Sequence, residues 1–481
     1  MTDSELAAEA EARRAAQTAA VGEPDAVATA GVALEAPGSQ ADDPSGAARA
    51  DYRRGARILS VGIGATGVVT FGYFALASHA LGPALYGGVS VLWAVLFVVV
   101  SVIYRPIEQL LSRTIARRRA LGLHAGHPLR LPALIQAGFA LAFLVAALLA
   151  RGSLEHGVFA GASSLYWILV AGTLAYAASY FARGWLAGHE RFGLYGGLVL
   201  SESLSRFCFA LAAVIGITHG QSAVALGIAA APAFSLVVVP LALQRDGAGR
   251  RVASAATTPP GPEGEGEIDG DLSLSSGGGF ALSVLAIMLA EQALLNGSVL
   301  TVRATAGAAL AGAAFNVLLI ARAPLQLFQA IQTSLLPHLT GLDARAGGDD
   351  FGRTVRVTVQ AIAAFSGVVG LGLAAVGPQV MHVVFAGHRF DRLGLILVAG
   401  AMGLHLVSGT LNQAALARDR APWAAGAWLV AAGLFVGWLL LPVISDQLRR
   451  VEVGYFGATG VLALLLWVLY RRPGRSVARE A

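Results

Sequence analysis

The sequence predicts an all-helical integral membrane protein with about twelve transmembrane helices in two six-helix bundles. Three observations favour this fold class. Only 13% of the 481 residues are charged and the mean hydropathy is +0.66, whereas about a quarter of a soluble chain is charged. Twelve mostly apolar stretches are each about long enough to cross a hydrocarbon core of about 30 Å. A hydrophilic segment separates the first six stretches from the last six.

The twelve predicted spans define two bundles, 57–243 and 280–470. The spans of the first bundle are 58–81, 86–111, 131–150, 160–181, 193–217 and 223–243. Those of the second are 280–302, 310–336, 355–376, 393–416, 423–443 and 453–470. Their number is even in each half, so an internal duplication would be parallel, about an axis along the membrane normal.

Three hydrophilic segments complete the predicted organisation. Residues 1–56 are rich in Ala, Gly, Pro and acidic residues, and they lack the large apolar side chains that offset the entropy cost of ordering. We therefore expect a disordered cytoplasmic tail there. Residues 244–279 combine Pro, Gly, Ser and acidic residues, which predicts a flexible cytoplasmic linker. Residues 471–481 are expected to form a basic cytoplasmic tail.

The arginines predict the orientation, because cytoplasmic loops of membrane proteins carry an excess of basic residues. All 34 basic residues are arginine. With a cytoplasmic N-terminus, 23 of them fall in or beside cytoplasmic loops. The loops on the other side carry six, which are Arg151, Arg303, Arg389, Arg392, Arg449 and Arg450. We therefore predict that both termini are cytoplasmic.

Composition also excludes several kinds of site. Without lysine the chain has no P-loop of the GxxxxGK[ST] type, no Schiff-base lysine and no pyridoxal site. The single cysteine, Cys208, excludes an intrachain disulfide. No His, Cys or acidic residues have the spacing of a metal site, so we expect no metal and no cofactor. The arginines are scattered and form no basic face, which argues against a nucleic-acid partner.

Six ionisable side chains lie inside the predicted spans, where a charge costs at least a few kcal/mol and commonly faces a protein interior or a water-filled cavity. They are Arg105, Glu108, Glu202, Arg206, Glu291 and Arg322. Glu202 and Arg206 are four residues apart, so local pairing and a place on a cavity are both open. Arg105 could snorkel to the interface. The neighbouring Pro106 favours a cavity or hinge instead, because a proline kinks a helix and frees a carbonyl.

The eighth predicted span carries a polar stripe. Gln326, Gln329 and Thr333 follow Arg322 at helical spacing, and Asn316 precedes it. A stripe of this kind either joins helices or lines an aqueous pathway, and the arginine favours the pathway. In the seventh span Glu291 has no basic partner on its own helix. It is interpreted as a proton or sodium site or as the counter-ion of Arg322.

Two six-span halves with intramembrane charges and no ATP motif are typical of a secondary transporter. Arginine binds phosphate through two oxygens and stays charged, so the substrate is expected to be anionic or phosphorylated. The predicted cavity residues are Arg105, Arg206, Arg322, Gln326, Gln329 and Asn316. The predicted sites of ion coupling or counter-ions are Glu291, Glu202 and Glu108.

Two short motifs lie at the ends of predicted spans. Leu81-Gly82-Pro83 with Tyr86-Gly87 follows the first span, and Arg183-Gly184 with the run from Gly188 to Gly193 follows the fourth. With the span pattern, they resemble the polysaccharide flippases of the multidrug/oligosaccharidyl-lipid/polysaccharide exporter superfamily. In that family two bundles form a V around a central cavity.

The resemblance implies a function and a set of partners. The implied substrate is an undecaprenyl-diphosphate-linked oligosaccharide, which crosses the bacterial plasma membrane by alternating access during synthesis of cell-surface polysaccharide. Membrane lipids and the polysaccharide polymerisation machinery are the implied partners. A cation-coupled multidrug or toxin antiporter of the same superfamily is the first alternative. An integral-membrane glycosyltransferase or polymerase is the second, but the short external loops disfavour an enzyme.

Overall fold

The computed structural model describes residues 44–120, 129–236, 274–320, 322, 324–325, 348–386, 390–418 and 420–472, some of them only in their backbone. The chain divides into two units, Met1–Arg49 and Ala50–Ala481, and all side chains discussed below belong to the second. Within the described ranges the secondary structure is helical throughout, with no strand.

The first half contains seven α-helices and one short π-helix. The α-helices are α1 (Pro44–Ala80), α2 (Pro83–Ile103), α3 (Arg105–Ala120), α4 (Arg130–Leu149), α5 (Ser163–Gly188), α6 (Phe192–Val214) and α7 (Gln221–Ser235). The π-helix, Ser153–Val158, lies between α4 and α5. The second half contains α8 (Leu274–Ala306), α9 (Ala308–Ile320), α10 (Gly348–Val384), α11 (Arg392–Ala417), α12 (Ala421–Leu440) and α13 (Gln447–Arg471).

The predicted fold class is confirmed. Among the described residues, ten helical segments are long and apolar enough to cross a membrane, and α7 and α9 are shorter apolar helices. Each of the twelve predicted spans coincides with one of these segments. The ends of the sixth and eighth spans lie outside the described residues, as do most of the predicted tail 1–56, linker 244–279 and tail 471–481. The predicted cytoplasmic termini stay a prediction.

The second span is interrupted beside its proline. α2 ends at Ile103, Tyr104 is not helical, and α3 begins at Arg105. Pro106 has no N–H to continue the ladder, and its ring crowds the carbonyl four residues earlier. The break lies inside one candidate membrane span, Pro83–Ser112, so Arg105 starts a new helix within that span.

The fourth span differs from its prediction at its C-terminal end. The predicted span stops at residue 181, before Arg183, whereas α5 continues to Gly188 and its candidate span includes Arg183. The Arg183 side chain is only 11% exposed and is paired with Glu202. A charge that is neutralised by another helix can stay within a span, and its own sequence window cannot show this.

The two halves share an aromatic core. Phe74 of α1 packs edge-on against Trp93 of α2, with ring centroids 4.9 Å apart. The same ring lies 4.5 Å from Phe315 of α9. All three side chains are buried, so burial of large aromatic area joins the first half to the second.

A crossing of small residues brings the halves closest together. A Cβ placed on Gly87 of α2 would lie 1.8 Å from the carbonyl oxygen of Ala308, at the start of α9. A Cβ on Gly312 would lie 2.9 Å from the ring of Tyr86. Only glycine permits so close an approach, as at other small-residue helix crossings in membranes. The crossing joins the segments that follow the first and seventh spans, and equivalent segments of a parallel repeat would meet in this way near its axis.

Three hydrogen bonds between described residues also join the halves. Tyr86 Oη donates to Asn316 Oδ1, Arg303 Nε donates to the Val158 carbonyl (2.9 Å), and the Ala386 N–H donates to Ser78 Oγ (3.3 Å). Except for Asn316, which lies within α9, these residues lie at or near helix ends on the side predicted to be external. We call the glycine crossing and these three hydrogen bonds the outer seal.

Candidate functional site

A cavity of about 140 Å³ lies between the two halves, and we call it the inter-bundle cavity. One wall comes from α3 of the first half. The other comes from α8, α11 and α12 of the second half. Its polar and aromatic lining residues are Arg105, Gln109, Glu291, His405, Asn412, Gln413 and Trp428.

The inter-bundle cavity lies far from the outer seal. Arg105 follows Gly87 by 18 residues, which at 1.5 Å per residue corresponds to about 27 Å along the broken helix. Glu291 precedes the end of α8 by 15 residues, or about 22 Å. The cavity is therefore displaced from the seal toward the end of the helices that is predicted to be cytoplasmic.

Arg105 is the cation of this cavity. Within the described residues, neither a carboxylate nor a carbonyl lies within hydrogen-bond distance of its guanidinium. An arginine has five N–H donors, so the group retains its full capacity to bind an anion. Glu108, three residues after Arg105 on α3, accepts a hydrogen bond from Tyr195 Oη at 2.7 Å.

Glu291 and His405 meet on the opposite wall. Glu291 is 21% exposed, and its Oε1 lies 3.9 Å from His405 Nε2. His405 is 2% exposed, and its Nδ1 lies 3.0 Å from Tyr455 Oη. Its Nε2 has no hydrogen-bond partner among the described residues. The Tyr455 contact fixes the ring so that Nε2 points toward Glu291.

Two amide side chains of α11 extend this wall. Asn412 Oδ1 accepts a hydrogen bond from Trp428 Nε1 at 3.1 Å. Gln413 Oε1 is buried and has no partner in the described part of the chain. The wall therefore offers a carboxylate, an imidazole nitrogen and an amide oxygen to any occupant of the cavity.

Glu202 lies in a second polar region, inside the first half. Its Oε2 accepts a hydrogen bond from Arg183 Nη2 at 2.5 Å. Its Oε1 accepts from Ser179 and, at 3.3 Å, from Ser235. Arg206 Nη1 is 3.9 Å away. We call Ser179, Arg183, Glu202, Arg206 and Ser235 the Glu202 network.

Arg206 is held by its own bundle. Nη1 donates to Tyr176 Oη at 2.7 Å, and Nη2 donates to Ser203 Oγ at 2.9 Å. The guanidinium also lies 5.2 Å from the ring centroid of Trp93. The side chain is buried, and Arg206 is not among the residues that line the inter-bundle cavity.

Arg322 is likewise bound by protein groups. Nη2 donates to the Leu295 carbonyl at 2.6 Å and to Asn296 Oδ1 at 2.8 Å, and the guanidinium lies 4.7 Å from the ring of Phe315. Its hydrogen-bond partners in the described chain are thus on α8 and do not include Glu291. Asn316 is buried in the outer seal. Gln326, Gln329 and Thr333, the rest of the predicted stripe, lie outside the described residues.

Sequence reasoning missed two contributors, Arg183 and Gln109. Arg183 was assigned to a cytoplasmic flank, yet it adds a fourth arginine to Arg105, Arg206 and Arg322, against the three glutamates Glu108, Glu202 and Glu291. Gln109 lies one turn after Arg105 on α3, and this spacing could have identified it. The described chain contains no group of three His, Cys, Asp or Glu residues that could hold a metal ion.

Comparison with known proteins gives structural matches only. No family model matches the sequence, and no curated protein matches it significantly. An inward-facing multidrug resistance MATE family transporter of the MOP superfamily has a TM-score of 0.58 at 16% identity, covering 86% of this chain and 97% of its own. An outward-facing structure of such a transporter has a TM-score of 0.56 at 17% identity, covering 88% and 95%.

A third solved structure differs in its description. It is a MOP superfamily transporter from Pyrococcus furiosus, for which a binding pocket of reverse polarity is reported to suggest a different function. Its TM-score is 0.57 at 17% identity, and the match covers 88% of this chain and 95% of that one. At such identities the likeness concerns architecture. The chain therefore has the fold of the MATE transporters of the MOP superfamily.

Proposed function

We propose that the chain is a secondary transporter, not an enzyme, that flips a polyprenyl-diphosphate-linked oligosaccharide across the bacterial plasma membrane by alternating access. The observation that carries this proposal is the position of Arg105. Arg183, Arg206 and Arg322 are each held by groups of their own half. Arg105 alone among these four faces the inter-bundle cavity.

The chemistry of Arg105 favours a phosphorylated substrate. Its planar guanidinium stays charged at any accessible pH and binds two phosphate oxygens together. Inside a span such a charge is costly when it has no partner. A diphosphate headgroup would supply that partner, while the polyprenyl tail would remain in the surrounding bilayer.

Closure at one end supports alternating access. The outer seal joins the halves on the side predicted to be external, and the cavity lies toward the other side. A substrate from the cytoplasmic leaflet would therefore reach Arg105 before the seal opens. Release on the other side requires the glycine crossing and its three hydrogen bonds to separate.

Glu291 favours a second candidate, a cation-coupled multidrug antiporter. Its carboxylate lines the same cavity as Arg105, and a carboxylate is the group that would attract a cationic drug, a proton or sodium. Two of the structural matches are described as multidrug resistance transporters. In this alternative Arg105 would oppose binding of the substrate, because like charges repel.

Transport by the reconstituted full-length chain separates the two candidates. Proteoliposomes would be tested with a fluorescent polyprenyl-diphosphate saccharide and with a cationic dye under a proton or sodium gradient. We expect movement of the lipid and none of the dye. Dye efflux that Glu291→Gln abolishes, without lipid movement, would establish the antiporter instead. Deleting the gene and identifying the accumulated lipid-linked intermediate by mass spectrometry would name the glycan.

A further inference from the structure

We propose that the second-half wall of the inter-bundle cavity is a saccharide subsite, in which His405 and Gln413 hydrogen-bond the sugar that adjoins the diphosphate. Arg105, on the opposite wall, would bind the diphosphate itself. This inference rests on the proposed function and deepens it. It assigns the two parts of one headgroup to the two halves of the protein.

Unpaired buried polar atoms are the first support. His405 Nε2 and Gln413 Oε1 are buried, line or adjoin the cavity and have no hydrogen-bond partner among the described residues. A buried polar atom that stays unpaired costs about 1–3 kcal/mol. A hydroxyl both donates and accepts a hydrogen bond, so one polyhydroxylated ring can satisfy an imidazole nitrogen and an amide oxygen together.

The charge of the wall selects against phosphate. Glu291 provides the carboxyl group of this wall, and the polar groups of His405, Asn412 and Gln413 are imidazole or amide. A carboxylate repels a diphosphate but accepts hydrogen bonds from sugar hydroxyls. On the facing wall, the guanidinium of Arg105 and the amide of Gln109 can donate hydrogen bonds to phosphate oxygens. The anionic and the neutral part of the headgroup are therefore expected to face opposite halves.

The spacing of the polar groups fits an extended ligand. His405 and Gln413 are eight residues apart on α11, or about 12 Å along the helix axis. A row of this length exceeds a single phosphate. The cavity volume of about 140 Å³ is below the range of about 300–1,000 Å³ that is usual for ligand pockets. The described cavity therefore takes part of a headgroup and not a whole oligosaccharide.

The wall is also held in place by a second layer of contacts. Tyr455 fixes His405 through Nδ1, and the indole N–H of Trp428 fixes Asn412. The Trp428 ring lies edge-on to His405, with centroids 5.4 Å apart. Side chains whose rotamers are locked by such contacts lose little freedom on binding, which favours recognition of a defined ligand.

Binding of two lipids to the purified full-length protein tests the subsite. The probes are undecaprenyl diphosphate and the lipid-linked saccharide that accumulates when the gene is deleted. We expect wild type to bind the saccharide lipid more tightly. Gln413→Leu should weaken that binding about tenfold, the equivalent of one lost hydrogen bond, and leave the bare diphosphate lipid unaffected. His405→Gln is the second variant. Gln109→Leu on the opposite wall is the comparison variant, and it should weaken binding of the two lipids equally because it faces the diphosphate that they share.

The outcomes separate this inference from the proposed function. Equal affinity of wild type for the two lipids, or equal weakening of both in Gln413→Leu and His405→Gln, would overturn the saccharide subsite and leave the diphosphate site standing. Failure of wild type to bind either lipid would overturn the proposed function and the subsite with it. The wild-type affinity ratio needs no variant, so the test holds even if a substitution prevents folding.

Discussion

The Glu202 network and the inter-bundle cavity use the same residue types in opposite ways. In the network, Glu202 is bound by Arg183, Ser179 and Ser235, and Arg206 is bound by Tyr176 and Ser203. In the cavity, Arg105 has no bonded partner among the described residues, and Glu291 has one histidine 3.9 Å away. Charge within a span thus indicates function only where the protein leaves it unsatisfied. The network stabilises one half, and the cavity is available to a ligand.

Removing the carboxylate of Glu202 should have the largest effect and tests the difference between the two regions. Glu202→Gln should destabilise the protein by about 3–5 kcal/mol, because it leaves Arg183 and Arg206 buried without a counter-charge. The loss would appear as a lower Tm in detergent. Glu291→Gln, the same substitution in the cavity, is the matched control and should change Tm little. Equal Tm values for the two variants would contradict the distinction between the regions.

A second carboxylate within a span, that of Glu108, gives the next largest effect. Tyr195→Phe removes the hydroxyl that donates to Glu108 at 2.7 Å, and a hydrogen bond to a charged group contributes about 1.5–3 kcal/mol. Tyr104→Phe is the control, since the buried Tyr104 hydroxyl has no partner in the described chain. Thermal unfolding should show a lower Tm for the first variant only. A comparable loss in Tyr104→Phe would mean that the ring, not the hydrogen bond, matters.

The outer seal predicts a steric effect. Gly87→Ala places a methyl group where the Ala308 carbonyl lies, so α2 and α9 must separate at a cost of about 1–3 kcal/mol. Because the seal joins the halves, labelling by a thiol reagent from the outer side should also increase. The reporter is Ala311→Cys, at a buried position of α9, in a background in which the exposed Cys208 is replaced by Ser. Gly82→Ala, with no heavy atom within 4 Å of its added Cβ, should leave both measurements unchanged. Unaltered labelling in Gly87→Ala would count against the seal.

A pair exposed to water should give the smallest effect. Arg449 hydrogen-bonds Asp391 at the start of α11 and thereby lowers the pKa of that carboxyl below its ordinary value of 3.8. A lowered pKa means that the pair stabilises the fold above the unfolded-state pKa and that this stability is lost as pH falls through the folded-state pKa. An exposed pair contributes up to about 1 kcal/mol. Asp391→Asn should therefore lower Tm slightly at pH 7, and its difference in Tm from wild type should disappear as pH falls through the lowered pKa of Asp391. If the Tm of Asp391→Asn had the same pH dependence as that of wild type, the contribution of this ion pair would be refuted.

Much of the fold could be predicted from the sequence, because apolar length and proline position are local properties. The spans coincide with helices, and the interruption beside Pro106 follows from the missing N–H. Residue 183 shows the limit of such reasoning. Its pairing with Glu202, 19 residues away in the chain, depends on how α5 packs against α6, and no local window contains that information.

The candidate site was predicted in part, for the same reason. Arg105 and Glu291 were identified as intramembrane charges, and the structure places both on one cavity. Spacing alone paired Glu202 with Arg206, whereas the shorter contact of Glu202 is to Arg183. Likewise Asn316 belonged to a helical stripe by spacing, but Tyr86 from the other half binds it in the outer seal. Which polar groups remain unpaired is a property of tertiary packing.

Movement of the saccharide lipid by the Arg105→Gln variant in proteoliposomes tests the central claim most directly. If Arg105 holds the diphosphate, flipping should fall at least tenfold while Tm stays close to that of wild type, because no described group depends on this side chain for a hydrogen bond. Arg353→Gln, at an exposed position of α10, should transport normally. Wild-type flipping by Arg105→Gln would contradict the account.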